Sequence, residues 1–182
     1  MKVGKIIFNL VVISLLCAGI AMVGIGINNK SKTQKAQNEY KKAFDKSVDE
    51  GKVQDESIIC MLEIPKINLS VVVREGTEDG TLAYAVGHFE DTAMPGEKGN
   101  FAVAGHRNYT TGEFFLKINE LVKGDEIKVT TYENNYTYIV TDSETVAPNN
   151  MDVLKETEGA TITLVTCNDD GSERLIVRGN LK

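Results

Sequence analysis

A cysteine near the carboxyl end of the chain stands where a strand-like run gives way to a polar loop. The run is Thr161-Ile-Thr-Leu-Val-Thr-Cys167, in which polar and apolar residues alternate with the period of a half-buried strand. By that alternation Cys167 shares a face with Thr161 and Thr163 rather than with the larger aliphatic residues. Most free cysteines pack as small hydrophobic residues, but a thiol at a strand end beside a loop is well placed to act as a nucleophile.

A second strand-like run, Asn100-Phe-Ala-Val-Ala-Gly-His106, ends at one of the two histidines of the chain. Phe101 and Val103 point to one face of the predicted strand, and we expect these larger side chains to fill a core. Ala104 and His106 point to the other face, and a small residue beside a histidine leaves room for a ligand. His106 is therefore the candidate general acid and base, and Ala104 is a candidate contact for the substrate.

Two arginines, Arg174 and Arg178, flank the apolar run that follows the six-residue loop after Cys167, and both have the same parity. If the loop closes a hairpin, Cys167 pairs with Arg174, and Arg178 lies roughly 13 Å further along the strand. An oxyanion donor must lie about 3 Å from the reacting oxygen, so the hairpin favours Arg174. A thiol, an imidazole and a guanidinium are sufficient for acyl transfer through a thioester. Thr166, next to the thiol, is a second candidate contact for the substrate.

The composition indicates one domain with appendages. The chain has 182 residues and a formal net charge of −6, and no basic patch with interleaved aromatic residues indicates nucleic-acid binding. From Ile58 onward, many short strand-like runs separated by turn signals predict a mainly β fold, either a closed barrel or a sandwich. The predicted short helices are Thr77–Tyr84, Phe114–Leu121 and Met151–Lys155, and the pair Asn149-Asn150 is expected to cap the last of them.

Three of these features together resemble the signature of the sortases, the cysteine transpeptidases of Gram-positive bacteria: Thr163-Leu-Val-Thr-Cys167, Ala104-Gly-His106 and Arg174. The resemblance covers roughly residues 57–182, including Leu62-Glu-Ile-Pro65. It implies a closed eight-stranded β-barrel with short helices. It also implies Cys167 as nucleophile, His106 as acid and base, and Arg174 as the group that stabilises the oxyanion and the substrate.

The resemblance also implies a reaction and its partners. A sorting signal similar to Leu-Pro-x-Thr-Gly would be cleaved between Thr and Gly. The acyl group would then pass to an amine of the cell wall or of another protein. The partners would be surface proteins with a C-terminal sorting signal and a cell-wall precursor or peptidoglycan amine. The chain is similar to the single-pass class A and class D types, and the turn Thr92-Ala-Met-Pro-Gly96 favours class D.

The first 56 residues differ in kind from the rest. Residues 1–27 are predicted to form a cytoplasmic tip and a membrane anchor, because the uncharged run Ile6–Ile27 spans about 33 Å as a helix and a bilayer core is roughly 30 Å thick. A cleaved signal peptide would have a shorter apolar region. Residues 28–56 are polar and favour helix, which predicts a solvated stalk. Residues 57–182 form the predicted catalytic domain.

The orientation of the anchor depends on two arguments that disagree. More lysines follow the apolar run than precede it, so the positive-inside rule favours a cytoplasmic carboxyl side. The sortase resemblance implies the opposite, a plasma-membrane protein whose catalytic domain lies on the extracellular face. We adopt the extracellular orientation as the expectation.

A non-catalytic alternative rests on the cysteines. Cys60 lies in the middle of a predicted strand, where a core position is expected, but an exterior location would permit a disulfide between Cys60 and Cys167. That disulfide would make the chain an exterior β-domain that acts as a binding module. A zinc site built from these cysteines and the two histidines lacks any ligand pair at a familiar spacing.

We expect no cofactor and no metal. His88 is predicted to be a loop histidine that is hydrogen-bonded to the backbone. Glu90, Asp91 and Glu97 could hold Ca²⁺ and so modulate the protein, but a solvated acidic loop is the simpler interpretation.

Overall fold

Eight strands close into a barrel in the computed structural model, which describes residues 2–107, 113–168 and 171–182. The order around the barrel is β1-β2-β3-β4-β7-β8-β6-β5. The strands are β1 (Ile58–Ile64), β2 (Leu69–Glu75), β3 (Val86–His88), β4 (Gly99–Ala104), β5 (Glu126–Thr130), β6 (Asn135–Val146), β7 (Ala160–Cys167) and β8 (Arg174–Leu181). The α-helices are α1 (Lys2–Glu50) and α2 (Asp79–Leu82), and the 3₁₀ helices are Pro65–Ile67, Ile118–Glu120 and Met151–Leu154. The closed eight-stranded barrel expected from the sequence is confirmed.

The alternation of large apolar residues places the core inside the barrel. Phe101 and Val103 of β4 and Ile162 and Leu164 of β7 are all buried in one cluster that fills the interior. Because side chains of a strand point alternately to its two faces, the residues between them point outward. Cys167 is therefore on the outer face of β7, as its parity predicted.

Strand pairing brings distant parts of the chain together. β4 and β7 pair in parallel, with Ala104 opposite Val165, although β5 and β6 lie between them in sequence. β7 and β8 form an antiparallel hairpin in which Cys167 lies opposite Arg174. The hairpin register expected from the loop length is confirmed.

The short elements agree with the sequence in type, and one strand is longer than expected. Asn150 caps the 3₁₀ helix after it, since its side chain accepts a hydrogen bond of 3.0 Å from the Asp152 N–H. The turn residues Asn134-Asn135 predict a following strand over Tyr136–Thr141. In the structure this strand continues to Val146, because it passes a bulge and then pairs with β8 as far as Arg174. A partner strand extends a strand beyond what the local sequence indicates.

The N-terminal helix α1 is continuous from the apolar run into the polar segment, and one face of its second half packs on the barrel. Phe44 is buried against Ile58 of β1 and Val72 of β2, and its ring stacks on Tyr132 at 4.8 Å. The expectation of a stalk solvated on all sides is therefore wrong for this face. The sequence signal for this docking was a thin apolar stripe made of Tyr40 and Phe44.

His88 also lies elsewhere than the sequence predicted. It is the last residue of β3 and is buried, with Nδ1 at 2.8 Å from a Glu75 carboxylate oxygen. Its Nε2 lies 3.0 Å from the Thr92 hydroxyl and 3.2 Å from the Ala93 carbonyl oxygen. The backbone contact is confirmed, but the residue is in a strand rather than a loop because β3 pairs with both β2 and β4.

Candidate active site

Cys167 ends β7 at the rim of the barrel. Its side chain is partly exposed, and its thiol is free. The residues of β7 that precede it on the outer face are Val165, which packs against Val153 and Ile176, and Thr163, which is buried. The outer face is thus covered along the strand and opens at the thiol, which is the arrangement that a nucleophile needs.

His106 follows β4 and is held next to the same end of β7. The Gly105 N–H donates to the Val165 carbonyl at 3.1 Å, and the Gly105 carbonyl accepts from the Thr166 hydroxyl at 2.7 Å. If the parallel register is continued two residues past Ala104, His106 aligns with Cys167. A Cβ on Gly105 would lie 2.7 Å from the Phe115 ring, so Gly105 faces inward and His106 faces outward.

Arg174 begins β8 directly opposite Cys167. Its Nη1 donates to the carbonyl oxygens of Gly171, at 3.3 Å, and Glu173, at 3.1 Å. The hairpin loop that supplies them is closed by the Asn168 N–H, which donates to the Glu173 carbonyl at 3.0 Å. The guanidinium is therefore bonded to the loop that joins the two strands, at the same end of the hairpin as Cys167.

Arg178 has different neighbours. It lies opposite Thr163, and its guanidinium forms ion pairs with Asp142 at 3.1 Å and Glu144 at 2.6 Å. Both carboxylates belong to β6, which is the strand on the other side of β8. These contacts direct its charge toward β6, away from β7 and its thiol.

The two predicted substrate contacts are placed differently. Ala104 is partly exposed on the outer face of β4, near the histidine. Thr166 is buried on the inner face, and its hydroxyl is bonded to the Gly105 carbonyl. In this structure Thr166 holds β4 against β7; that either residue contacts the substrate stays a prediction.

Asn100 is a structural residue of the site that sequence reasoning did not assign. It is buried in β4, where its Nδ2 donates to the Val153 carbonyl at 3.0 Å and its Oδ1 accepts from the Thr163 hydroxyl at 2.7 Å. It thereby joins β4, β7 and the 3₁₀ helix before β7. The sequence signal was only that Asn100 begins the run leading to His106.

The structure does not support a disulfide between Cys60 and Cys167. Cys60 is completely buried in the barrel core, whereas Cys167 is on the outside, and three strands separate β1 from β7 around the barrel. Burial raises the pKa of the Cys60 thiol far above its usual range, which makes it inert near neutral pH. The binding-module alternative loses its basis.

The expectations about cofactors and metals stay predictions. In the described segments of the chain, no group of three or more His, Cys, Asp and Glu side chains is placed to hold a metal ion. A carboxylate oxygen of Glu97 accepts from the Met94 N–H at 3.2 Å, so it caps its own turn. Modulation by Ca²⁺ through Glu90, Asp91 and Glu97 stays a prediction.

The site therefore presents a partly exposed thiol, a neighbouring imidazole and an opposed guanidinium at one rim of the barrel. These groups can act as nucleophile, proton carrier and oxyanion donor in acyl transfer. The nucleophile and the guanidinium come from one hairpin, and the imidazole comes from the parallel neighbour of that hairpin.

Comparisons with known proteins identify the family of the chain. Residues 62–182 match the family model of the sortase domain. Sortase A of Bacillus anthracis is 30% identical over 96% of this chain and 94% of its own length, and Sortase D of Bacillus subtilis is 28% identical over 84% and 85%. The structure of a Clostridium perfringens Sortase D5 transpeptidase superposes with a TM-score of 0.70 at 36% identity, covering 84% of this chain and 99% of that one. Because the family match covers most of the chain and the relatives align nearly end to end, this protein belongs to the sortase family of cysteine transpeptidases.

Proposed function

We propose that this sortase cleaves a sorting signal similar to Leu-Pro-x-Thr-Gly between Thr and Gly and transfers the protein to an amine of the cell wall. The single observation that carries the assignment of the residues is the pairing of Cys167 with Arg174 at the strand end next to Gly105 and His106. Surface proteins with a C-terminal sorting signal would supply the acyl group. A cell-wall precursor or peptidoglycan would supply the amine.

The first half of the reaction forms a thioester. The Cys167 thiolate attacks the carbonyl carbon of the scissile Thr–Gly bond, and the carbonyl oxygen becomes an oxyanion that Arg174 stabilises. The C–N bond breaks as His106 donates a proton to the nitrogen of the leaving glycine. The threonine carbonyl is then bonded to the sulfur of Cys167.

The second half returns the enzyme to its starting state. An incoming amine attacks the thioester carbon, His106 accepts a proton from the amine, and the C–S bond breaks to release the Cys167 thiolate. A new amide bond joins threonine to the acceptor. If water attacked the thioester in place of the amine, the thioester would be hydrolysed. Exclusion of water from the thioester therefore favours transfer to the amine.

Membrane anchorage is the remaining part of the proposal. The N-terminal end of α1 is long and apolar enough to cross a bilayer, and its side chains there are exposed. We place the barrel outside the plasma membrane, where sorting signals and wall precursors meet. Protease added to intact cells should then digest the barrel, and full protection of the barrel would contradict this orientation.

The test of the reaction uses the chain from residue 28 with a fluorescent Leu-Pro-x-Thr-Gly peptide and a set of amines, followed by mass spectrometry of the products. We expect a peptide–amine product and an acylated enzyme, with the added mass on Cys167. Cys167→Ala should give neither and should keep the native circular dichroism spectrum, because the side chain is at the rim. Cys60→Ala is the matched control and should remain active. Product formation by Cys167→Ala would refute the assignment of the nucleophile.

A further inference from the structure

The docking of α1 fixes the barrel relative to the apolar run that precedes it. α1 continues without a break from Lys2 to Glu50, and a helix rises about 1.5 Å per residue. The first barrel contact of the docked face, Thr33, is six residues or about 9 Å beyond Ile27, where the apolar run ends. Contacts then recur at the spacing of one helix face, at Thr33, Gln37, Tyr40 and Phe44, and Ser47 is buried on the same face one turn further on.

Gln37 sets both the rotation and the height of the helix. Its Nε2 donates to the Tyr84 carbonyl at 2.6 Å, and its Oε1 accepts from the Val72 N–H at 3.0 Å. The side-chain amide thus bonds the backbone of β2 and the backbone just before β3 at once. Gln37 is only 7% exposed, so breaking this contact would leave buried polar groups without partners.

Apolar and cationic contacts reinforce the docking one and two turns later. The Arg74 guanidinium lies 4.6 Å from the centroid of the Tyr40 ring and also donates to its hydroxyl. Phe44 is 3% exposed and packs on Ile58, Val72 and Tyr132. A mobile tether would leave these side chains in water, so the helix is part of the folded domain.

The contact closest to the apolar run reaches the segment that follows the candidate histidine. Lys30 forms an ion pair with Glu113 at 3.0 Å, two residues before Phe115, whose N–H donates to the His106 carbonyl at 3.0 Å. An exposed ion pair of this kind adds little stability. It does place the segment that bonds the His106 backbone next to the part of α1 nearest to the apolar run.

The negative charge of the barrel favours a rigid connection between the barrel and the apolar run. The first 46 residues contain eight of the 20 basic residues and two of the 26 acidic residues, so residues 47–182 have a net charge of −12. The surface of a bacterial membrane rich in anionic lipid would repel a barrel with that charge. A flexible tether would let the barrel move away, whereas a docked helix keeps it close.

We propose that the docked face of α1, from Thr33 to Ser47, acts as a ruler that holds the catalytic rim at a fixed height above the membrane. The enzyme then selects substrates whose scissile bond is a defined distance from their own membrane anchor. The substrate class is a membrane-held peptide rather than a free one. This inference rests on the proposed function and on the anchoring of α1 in the bilayer.

The test uses the full chain in vesicles of phosphatidylcholine and phosphatidylglycerol. The substrates are peptides with a Leu-Pro-x-Thr-Gly segment, a flexible spacer of varied length and a transmembrane anchor. Seven alanine-rich residues inserted after Asn28 add almost two helical turns, so they raise the barrel by about 10 Å with little rotation. We expect the spacer length of fastest cleavage to increase by about three residues, since an extended residue spans about 3.4 Å. Cleavage of a free peptide should be unchanged.

One substitution and its matched control complete the design. Gln37→Ala should loosen the docking and broaden the dependence on spacer length, whereas Gln34→Ala, an exposed glutamine one turn earlier, should preserve it. If the insertion leaves the spacer length of fastest cleavage unchanged while the free peptide is still cleaved, the proposal that α1 sets the height of the site is wrong. Loss of free-peptide cleavage in the insertion variant alone would also overturn it, because α1 would then act on the chemistry. Absence of free-peptide cleavage in the unaltered chain would instead contradict the proposed function.

Discussion

Arg174 and Arg178 are the same residue type on the same face of β8, yet their surroundings differ. Arg174 lies opposite Cys167, and its guanidinium donates to two neutral carbonyl groups of the hairpin loop, those of Gly171 and Glu173. Arg178 is paired with two carboxylates of β6. An arginine whose charge is already neutralised by two ion pairs is a poor donor for a developing oxyanion.

This contrast gives a prediction for the two arginines. Arg174→Ala should lower the rate of acylation by about 10²–10³-fold, the usual loss for one oxyanion donor. Arg174→Lys should recover little, since an ammonium cannot reproduce the planar guanidinium fork. Arg178→Ala is the matched control and should keep most of the activity. Single-turnover measurement of thioester formation with one peptide compares all three, and a larger loss in Arg178→Ala would show that the wrong arginine was chosen.

Tyr138 gives a prediction for alkaline pH. Burial raises its pKa to about 12, although the Gly96 N–H that donates to its hydroxyl at 2.8 Å acts in the opposite direction. The ordinary tyrosine pKa is about 10. The folded state therefore favours the neutral phenol, and this contribution to stability is complete below pH 10 and is lost as the pH rises through 12.

Urea unfolding at pH 8, 10 and 12 checks this expectation. Tyr138→Phe should be less stable than the unaltered chain at pH 8 by about 1 kcal/mol, because the Gly96 N–H loses its acceptor. Between pH 10 and 12 the unfolding free energy of Tyr138→Phe should decrease less than that of the unaltered chain. Tyr84→Phe changes an exposed tyrosine and should follow the unaltered chain. If Tyr138→Phe shows the same alkaline slope as the unaltered chain, the phenol does not cause it.

At the scale of elements, the site depends on the parallel contact between β4 and β7. Three side chains secure this contact without any catalytic role of their own. Thr166 bonds the backbone of Gly105, and Asn100 bonds both Thr163 and the 3₁₀ helix Met151–Leu154. Because His106 follows β4 and Cys167 ends β7, their separation depends on these buried polar contacts between the two strands.

Asn100→Ala tests this contact. The substitution would leave the Val153 carbonyl and the Thr163 hydroxyl without their partner in a buried site, which should cost about 2–3 kcal/mol of unfolding free energy. Asn180→Ala, at an exposed position of β8, should change stability by less than about 0.5 kcal/mol. Denaturant unfolding measures the unfolding free energies of both variants and of the unaltered chain. Equal stabilities would mean that water replaces the lost bonds.

At the scale of the whole molecule, the folded unit is larger than the barrel. The helix face that begins at Thr33 covers β1, β2 and the residues before β3, so the boundary expected at residue 57 separates groups that pack together. The domain that folds as a unit therefore includes the second half of α1. The apolar first half extends from it with exposed side chains.

Two shortened chains distinguish these boundaries. A chain beginning at residue 28 should be soluble, active and fully stable. A chain beginning at residue 57 should still cleave peptide, because the three candidate catalytic residues remain, but it exposes Ile58 and Val72 and removes the partner of the Val72 N–H. Losing a buried Phe44 alone corresponds to about 3–5 kcal/mol, so the thermal midpoint should fall by at least about 10 °C. Equal midpoints would restore the boundary at residue 57.

Much of the fold could be predicted from the sequence because its signals are local. Alternation along β4 and β7 identified their inner faces, and a six-residue loop fixed Cys167 opposite Arg174. The pair Asn149-Asn150 predicts a cap, which Asn150 supplies, because a cap bonds a residue only two positions away. In each case the groups that interact are neighbours in the chain, so their types and spacing determine the outcome.

Tertiary structure decided what depends on distant partners. Parallel pairing brings His106 beside Cys167 although their strands are not consecutive, and barrel closure puts Cys60 inside, where it cannot meet Cys167. The docking of α1 depends on Gln37, a polar residue whose importance comes from two backbone groups that lie 35 and 47 residues further along the chain. Nothing in the residues around Gln37 indicates these partners, because a side-chain amide becomes structural only when folding removes water from the groups it bonds.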